Sequence, residues 1–195
     1  LGDVYKRQGY GIGSRYTAIE PLSIKISYEH SVRLPLAREL LGNGTTIYAN
    51  VALKPESSDN INLGIFGTWH PAPGHTLYYE ANGFLRYVDD YIQATVETKE
   101  GMMQYKNVPA VHIKGIEGEV RYDWQSKLQL ATNVSFQEAR DQNRYKTDGK
   151  PSATYNNRVP NRPWLFGSAE ASYLFHNVVL PESKLRLSCS YQWVH

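Results

Sequence analysis

Short segments in which apolar and polar side chains alternate recur along the chain from residue 9 to residue 194. In residues 22–30 the alternation is strict, with apolar Leu22, Ile24, Ile26 and Tyr28 separated by polar Ser23, Lys25, Ser27 and Glu29. A β-strand points successive side chains to opposite faces, so each such segment has one apolar and one polar face. A helical period does not fit these segments. The pattern predicts an all-β, antiparallel architecture of amphipathic strands.

The composition allows a membrane location only if strands cross the membrane. The mean hydropathy is −0.51, and the sequence has no apolar run of about 18 residues, the length that a membrane helix needs. A barrel strand needs an apolar residue only at every second position, so low hydropathy does not exclude a β-barrel. The chain also contains 15 Tyr, 4 Trp and 5 Phe. Many of these lie near predicted strand ends, where aromatic rings can rest at the lipid headgroups.

The alternating segments define eight long strands. We predict them at residues 9–18, 22–30, 60–70, 75–88, 112–124, 127–139, 164–175 and 185–194. The fourth strand can continue to residue 96, with a partner that begins near Met103. These two extensions would make one hairpin much taller than the others.

The predicted connections form a short class and a long class at opposite ends of the strands. The short turns are Glu20-Pro21 and residues 71–74, 125–126 and 176–184, and the long loops are residues 31–59, 97–102 and 140–161. Outer-membrane barrels have short periplasmic turns and long extracellular loops. The sequence therefore predicts an up-and-down transmembrane β-barrel segment in a bacterial outer membrane.

Strand direction gives a further expectation about the ends of the barrel domain. If residues 22–30 run outward to a long loop, the first strand runs inward and the eighth runs outward. Both ends would then lie at the outer rim, whereas a complete outer-membrane barrel begins and ends in the periplasm. We expect residues 9–195 to be part of a larger barrel domain. Residues 1–8 are charged and precede the alternation, and we interpret them as a non-native leader.

Other kinds of protein share parts of this sequence pattern. A soluble β-sandwich could have the same alternation, with its polar face in water. A passive porin or an adhesin would share both the alternation and the asymmetry of the loops. The net charge of +2, without a basic stripe, predicts no nucleic-acid partner.

Motifs for catalysis or for metal binding are weak. Cys189 is the only cysteine, which excludes an internal disulfide and a cysteine-based metal cluster. The six histidines lack metal-ligand spacing, and the sequence has no Gly-x-Ser-x-Gly nucleophile motif. The sequence therefore predicts no enzyme, no catalytic residue, no metal site and no cofactor.

The first long loop contains a signature-like stretch at both of its ends. Its residues are Arg33, Leu34 and Pro35, followed by Leu53, Lys54, Pro55, Glu56, Ser57 and Asn60. This stretch resembles the barrel of TonB-dependent outer-membrane receptors, in which an Arg-Leu-Pro strand end precedes a loop that closes with Asn-Pro-x-Leu-Lys-Pro-Glu-x-Ser-x-Asn. Val51 stands where that pattern has proline. The similarity continues through residues 84–92, 107–108 and 115–119.

The resemblance implies a barrel of 22 strands around a plug domain, with the plug and the remaining strands outside this sequence. It also implies contact with outer-membrane lipid and with a TonB-type energising protein through a missing N-terminal part. The implied function is active uptake of a small-molecule ligand, such as a ferric siderophore, haem, cobalamin or a glycan.

Three groups of residues are candidate sites. The signature residues have a structural explanation: residues 35–41 can form a short helix that ends at Gly42, and Pro55 fixes the backbone. Inward-facing candidates are Lys25, Glu29, Glu117, Glu119 and Arg121, which the resemblance places against the plug or the water-filled lumen. Glu117 and Glu119 also suggest an acid–base pair, but a lumenal charge ladder explains them better. Arg140, Arg144 and Tyr145 are candidates for an extracellular ligand loop.

Overall fold

The computed structural model describes residues 8–96, 101–145 and 149–195. The leader predicted at residues 1–8 lies outside the described residues except for Gln8, as do residues 97–100 of the predicted hairpin tip and residues 146–148 of the last long loop. The elements are β1 (Tyr10–Ile19), β2 (Leu22–Arg33), α1 (Ala37–Leu41), β3 (Ile47–Tyr48), β4 (Glu56–Trp69), β5 (His75–Val96), β6 (Met103–Trp124), β7 (Leu128–Asp141), β8 (Leu165–His176) and β9 (Lys184–Val194).

All of these strands belong to one sheet. The eight long strands follow chain order, β1-β2-β4-β5-β6-β7-β8-β9, and each pairs antiparallel with the next. The two-residue strand β3 pairs parallel with β6. This order confirms the predicted up-and-down segment of eight long strands. Within the described residues the sheet is open, and no second sheet packs on it as a β-sandwich would require.

The hairpin of β5 and β6 is the tallest part of the sheet. Each strand has 22 residues, so each is about 70 Å long at about 3.3 Å per residue. A membrane-crossing strand needs only about 9 to 11 residues, and the hairpin therefore extends well beyond a bilayer. This confirms the predicted extension to residue 96.

The first long loop is shorter than predicted. We expected it to occupy residues 31–59, but β2 continues to Arg33 and β4 already begins at Glu56, because these two residues are register partners in the sheet. The loop itself is therefore residues 34–55. The last long loop likewise begins after Asp141, the final residue of β7.

The register aligns apolar side chains of neighbouring strands on one face, here called the outer face. Ile26, Leu63, Gly83, Ile116 and Phe136 form one row across five strands. The side chains in this row are exposed, and Ile116 reaches 64%. Lipid chains can cover such an apolar face, whereas the opposite, inner face is polar and suits an aqueous lumen.

A small apolar core lies on the inner face near the long-loop end of β5, β6 and β7. It contains Val88, Tyr91, Val111, Ile113, Ala139 and Val159. Val159 belongs to the connection between β7 and β8, and its N–H donates to the carbonyl of Ala139 at 2.9 Å. This connection therefore pairs with the edge of β7, and the Val159 side chain packs into the inner-face core.

At the opposite end, a close contact fixes the turn between β1 and β2. A Cβ atom at Gly67 would lie 1.7 Å from the carbonyl oxygen of Pro21. The hydroxyl of Tyr79 donates to that same oxygen at 2.5 Å. Only glycine leaves room for this approach of the backbone.

The short helix predicted from the first long loop is present. The backbone N–H of Leu36 donates to the carboxylate of Glu39 at 2.8 Å, which caps the first turn of α1. The helix ends at Gly42, whose φ of 69° favours glycine. No helix in the described part of the chain has the length and hydropathy that a membrane crossing needs.

Candidate functional site

The signature segment is held against the tall hairpin by a set of backbone and amide contacts. The backbone N–H of Lys54 donates to Oδ1 of Asn107 at 2.9 Å, and Nδ2 of Asn107 donates back to the carbonyl of Lys54 at 3.1 Å. Asn50 donates to the carbonyl of Tyr105 at 2.8 Å, and Gln104 donates to the carbonyl of Ala49 at 3.0 Å. Together with the pairing of β3 on β6, these bonds dock the first long loop on β6.

Glu56 joins the loop to two strands. Its carboxylate accepts from Nη2 of Arg33 at 3.4 Å and from the backbone N–H of Ile92 at 3.0 Å. The same guanidinium donates from Nη1 to both oxygens of Glu39, at 3.2 and 3.1 Å. Arg33 therefore binds two carboxylates of the signature region at once, and Glu39 is buried.

The other signature residues also make packing or backbone contacts. Leu53 and Pro55 are buried, Ser57 is half-buried, and Leu34 is exposed at the loop surface. The amide of Asn60 donates to Oγ of Ser31 at 3.1 Å. These contacts are those expected of a structural motif, and Pro35 precedes α1 as the sequence suggested.

On the inner face an ion pair connects β2 with β5 across the intervening strand. Nζ of Lys25 contacts the carboxylate of Glu80. The path crosses β4 beside Gly64, where a Cβ atom would lie 2.7 Å from Cε of Lys25. The missing side chain of Gly64 thus leaves space for the lysine to reach Glu80.

The pair continues into a ladder of alternating charges. The hydroxyl of Tyr78 donates to Oε2 of Glu80 at 2.5 Å, and the guanidinium of Arg121 lies 4.7 Å from the centre of the Tyr78 ring. Arg121 also binds the carboxylate of Glu119. Glu119 is thus engaged with a cation, in a row of charged and aromatic groups on the inner face.

Glu117 and Glu29 lie on the same inner face. Glu117 helps to line a cavity of about 210 Å³, with Asn62, Asn82, Arg86, Gln137 and Arg162 among the other lining residues. The side-chain oxygen of Asn82 is buried and lacks a hydrogen-bond partner among the described residues. Glu29 is exposed beside Asn60, its register partner on β4. Such a surface is polar and open enough to be hydrated.

The three candidates of the last long loop occupy different positions. Arg140 lies within β7, where it donates to the carboxylate of Glu138 at 2.5 Å and to the carbonyl of Asn156 at 2.6 Å. Arg144 is in the loop, and its Nε donates to the hydroxyl of Tyr155 at 3.2 Å. Tyr145 is exposed. The structure therefore brings Arg144 and Tyr145 to the loop surface and places Arg140 on the sheet.

Sequence reasoning missed a charged group on the outer face, which we call the Glu138 cluster: Lys114, Glu138, Arg140 and Arg158. Nζ of Lys114 lies 3.6 Å and Nη2 of Arg158 lies 3.4 Å from Glu138 carboxylate oxygens. The cluster lies beyond the apolar run that ends at Ile116 and Phe136. The Glu138 carboxylate accepts a hydrogen bond from Arg140 and lies near the positive charge of Lys114. Both effects favour the ionised carboxylate and lower the pKa of Glu138 to about 2. The clue in the sequence was a charge pair at the end of two apolar runs.

The described residues offer no site for a metal ion. No three His, Cys, Asp or Glu side chains among them gather in a suitable group. Cys189 is exposed on the outer face of β9, in the row of Trp69, Leu130 and Ala171.

The chain matches a family model described as "TonB dependent receptor-like, beta-barrel" over residues 5–194. A comparison with curated proteins gave no match. Among solved structures, the copper transporter OprC has a TM-score of 0.65 and 18% identity, over 94% of this chain and 26% of that one.

Two further solved structures share the fold. The hemophore receptor HasR of Serratia marcescens, solved with its hemophore HasA and heme, has a TM-score of 0.62 and 18% identity, over 95% of this chain and 33% of that one. The siderophore receptor PirA of Pseudomonas aeruginosa has a TM-score of 0.55 and 13% identity, over 95% and 34% of the two chains. The chain thus spans only about a quarter to a third of these structures.

Proposed function

We propose, because this chain belongs to the family of TonB-dependent receptor-like β-barrels, that it forms part of the wall of a bacterial outer-membrane receptor for active nutrient uptake. The observation that carries the proposal is the family match over residues 5–194, on a sheet whose outer face is apolar and whose inner face is charged. The function is transport, and no catalytic step by this chain is involved.

Energised uptake needs parts that lie outside these strands. We propose that the longer protein supplies a plug domain inside the barrel and a segment that binds a TonB-type energising protein. The inner-face ladder of Lys25, Glu80, Tyr78, Arg121 and Glu119 would then face the plug. Mixed charges with hydrated surroundings suit a contact that must release and re-form during transport, because exposed ion pairs are weak.

The substrate belongs to a scarce-nutrient class such as a ferric siderophore, haem, cobalamin or a glycan. The solved structures with this fold are named for copper, iron, haem and siderophore transport, which supports a metal or a metal complex first. Arg144 and Tyr145 are proposed to meet the ligand from the last long loop, since both lie at its surface. A cationic and an aromatic side chain suit a hydrated anionic chelate.

The proposal is tested in a strain that lacks the gene for the receptor carrying this chain. Restoring the gene should restore uptake of one labelled candidate among ferric siderophores, haem, cobalamin, copper and glycans. Deleting the TonB-type protein should abolish that uptake, and the receptor should fractionate with the outer membrane. Uptake that is independent of the energising protein would indicate a passive porin, and a soluble receptor would refute the membrane location.

A further inference from the structure

The outer face of β6 and β7 changes abruptly from apolar to charged. Ile116 and Phe136 are register partners and end the apolar run, and the next partners on the same face are Lys114 and Glu138, followed by His112 and Arg140. The apolar run has nine residues on β6, from Ile116 to Trp124, and nine on β7, from Leu128 to Phe136. This is the length of strand that crosses a bilayer. The charged positions therefore lie where the lipid headgroups begin.

The last long loop adds a third cation at this boundary. Arg158 forms an isolated bridge with Arg140, so both residues lie on the outer face. Its guanidinium is 5.5 Å from the centre of the Trp164 ring, and that ring meets Phe136 edge to face at 5.9 Å. Arg158 thus lies next to an aromatic pair, as expected at a membrane interface.

The charges of the Glu138 cluster do not cancel. Three cations surround one carboxylate, which leaves the cluster with a net charge of +2. The carboxylate is only 12% exposed, whereas Lys114 is 65% and Arg158 is 51% exposed. The Glu138 carboxylate thus contacts the cations, while the N–H groups of Lys114 and Arg158 remain accessible to a ligand.

We propose that the Glu138 cluster binds the phosphorylated headgroup of a lipid in the outer leaflet, with the acyl chains of that lipid along Ile116, Phe136 and Trp164. Charge complementarity favours this occupant, because two unneutralised cations match one phosphate at an apolar surface. The planar fork of Arg158 suits two phosphate oxygens, and Lys114 adds a mobile donor. The inference rests on the proposed membrane function, since the apolar strip must face lipid.

The test uses the full-length receptor, purified in detergent and titrated with diphosphorylated lipid A in native mass spectrometry. The variant Lys114→Gln/Arg158→Gln removes the two exposed cations and leaves the contact of Arg140 with Glu138. We expect it to bind lipid A roughly 10- to 30-fold more weakly, as the loss of two cations at an anionic surface predicts. The control Lys127→Gln/Lys184→Gln removes two cations at the short-turn end and should leave binding unchanged.

Two further arms identify the ligand source and exclude misfolding. Lys114→Arg/Arg158→Lys keeps both charges and should bind lipid A like the parent protein, and each variant should keep the heat-modifiable gel mobility of a folded barrel. Lipid A without phosphates should bind weakly even to the parent. Inorganic phosphate should not displace the lipid, and displacement at low millimolar concentration would overturn the proposal in favour of a soluble anion.

The remaining outcomes separate this inference from the proposed function. If the variant still transports its nutrient and binds lipid A as tightly as the parent, the lipid site is refuted and the transport function stands. If the receptor is absent from the outer membrane, both fail.

Discussion

Asn107 and Lys54 exchange two hydrogen bonds, one in each direction, between β6 and the end of the first long loop. The second amide proton of Asn107 is also used, because Nδ2 donates to the carbonyl of Asp90 on β5 at 2.7 Å. Asp90 has a φ of 52°, in the left-handed region that aspartate adopts more readily than most residues other than glycine. One amide side chain therefore joins the loop, β5 and β6.

Replacing Asn107 should loosen the first long loop. Asn107→Ala loses all three bonds, and Asn107→Asp loses both donors and sets a carboxylate oxygen against two carbonyl oxygens, so we expect both variants to raise cleavage of residues 34–55 by added protease. Each lost bond to a half-buried backbone group costs about 1 kcal/mol. Asn157→Ala is the matched control, because Asn157 donates its amide to Ala153 within its own loop. If protease cleaved residues 34–55 at the same rate in both Asn107 variants and in Asn157→Ala, this role of Asn107 would be contradicted.

A methyl group at Gly67 should disturb the sheet, and a methyl group at Gly83 should not. Both glycines lie on the outer face, but a Cβ atom at Gly83 would meet its nearest neighbour only at 3.9 Å, against 1.7 Å at Gly67. Overpacking of this kind costs about 1 to 3 kcal/mol. We expect Gly67→Ala to lower the urea midpoint of the refolded receptor and the folded fraction in heat-modifiability gels. Indistinguishable midpoints for Gly67→Ala and Gly83→Ala would show that the Pro21 turn adapts freely.

Neighbouring residues of β6 should differ in their access to water. Glu117 lies on the inner face and Ile116 on the outer face. In a Cys189→Ser background, a water-soluble maleimide should label Glu117→Cys much faster than Ile116→Cys, because thiolate formation and attack require water. The measurement is the labelling rate in outer-membrane vesicles. Faster labelling at residue 116 would reverse the assignment of the two faces.

Glu138 should stabilise the receptor at neutral pH and not at very low pH. Its pKa is lowered from 4.5 to about 2 in the folded protein, so its contribution is complete above pH 4.5 and is lost as the pH falls through about 2. The difference in melting temperature between parent and Glu138→Gln should therefore shrink across this window. Glu182→Gln, in the exposed turn between β8 and β9, serves as the control. A difference that is constant with pH would argue against ionic stabilisation.

The strands could be predicted because a membrane and a lumen impose a period of two on the sequence. Residues 22–30 and 185–194 show this period directly, and both lie in strands, β2 and β9. The tall hairpin was also predictable, since alternation resumes at residues 92–96 after two aspartates. The boundary at Glu56 was missed because Ser57, Ser58 and Asp59 look like turn residues, although their backbone is already paired with β2 and β5.

The long-range polar contacts could not be predicted in the same way. Asn50 and Tyr105 are 55 positions apart, and asparagine is common in any loop, so no local pattern signals their contact. Arg158 likewise reaches Glu138 only because the connection after β7 folds back along the sheet. Strand parity in the sequence places the inner-face charges on one face of the sheet, but the pairing of Lys25 with Glu80 depends on the absence of a side chain at Gly64.

The docking of the first long loop on β6 also limits how the mouth of the barrel can move. A parallel bridge and the bonds of Asn50, Gln104 and Asn107 lie within a few residues of one another, so a hinge in residues 34–55 would have to break all of them together. The loop and the upper half of β5 and β6 therefore behave as one rigid rim. Amide exchange in residues 34–55 should therefore be slow, because opening of this loop requires all of these bonds to break.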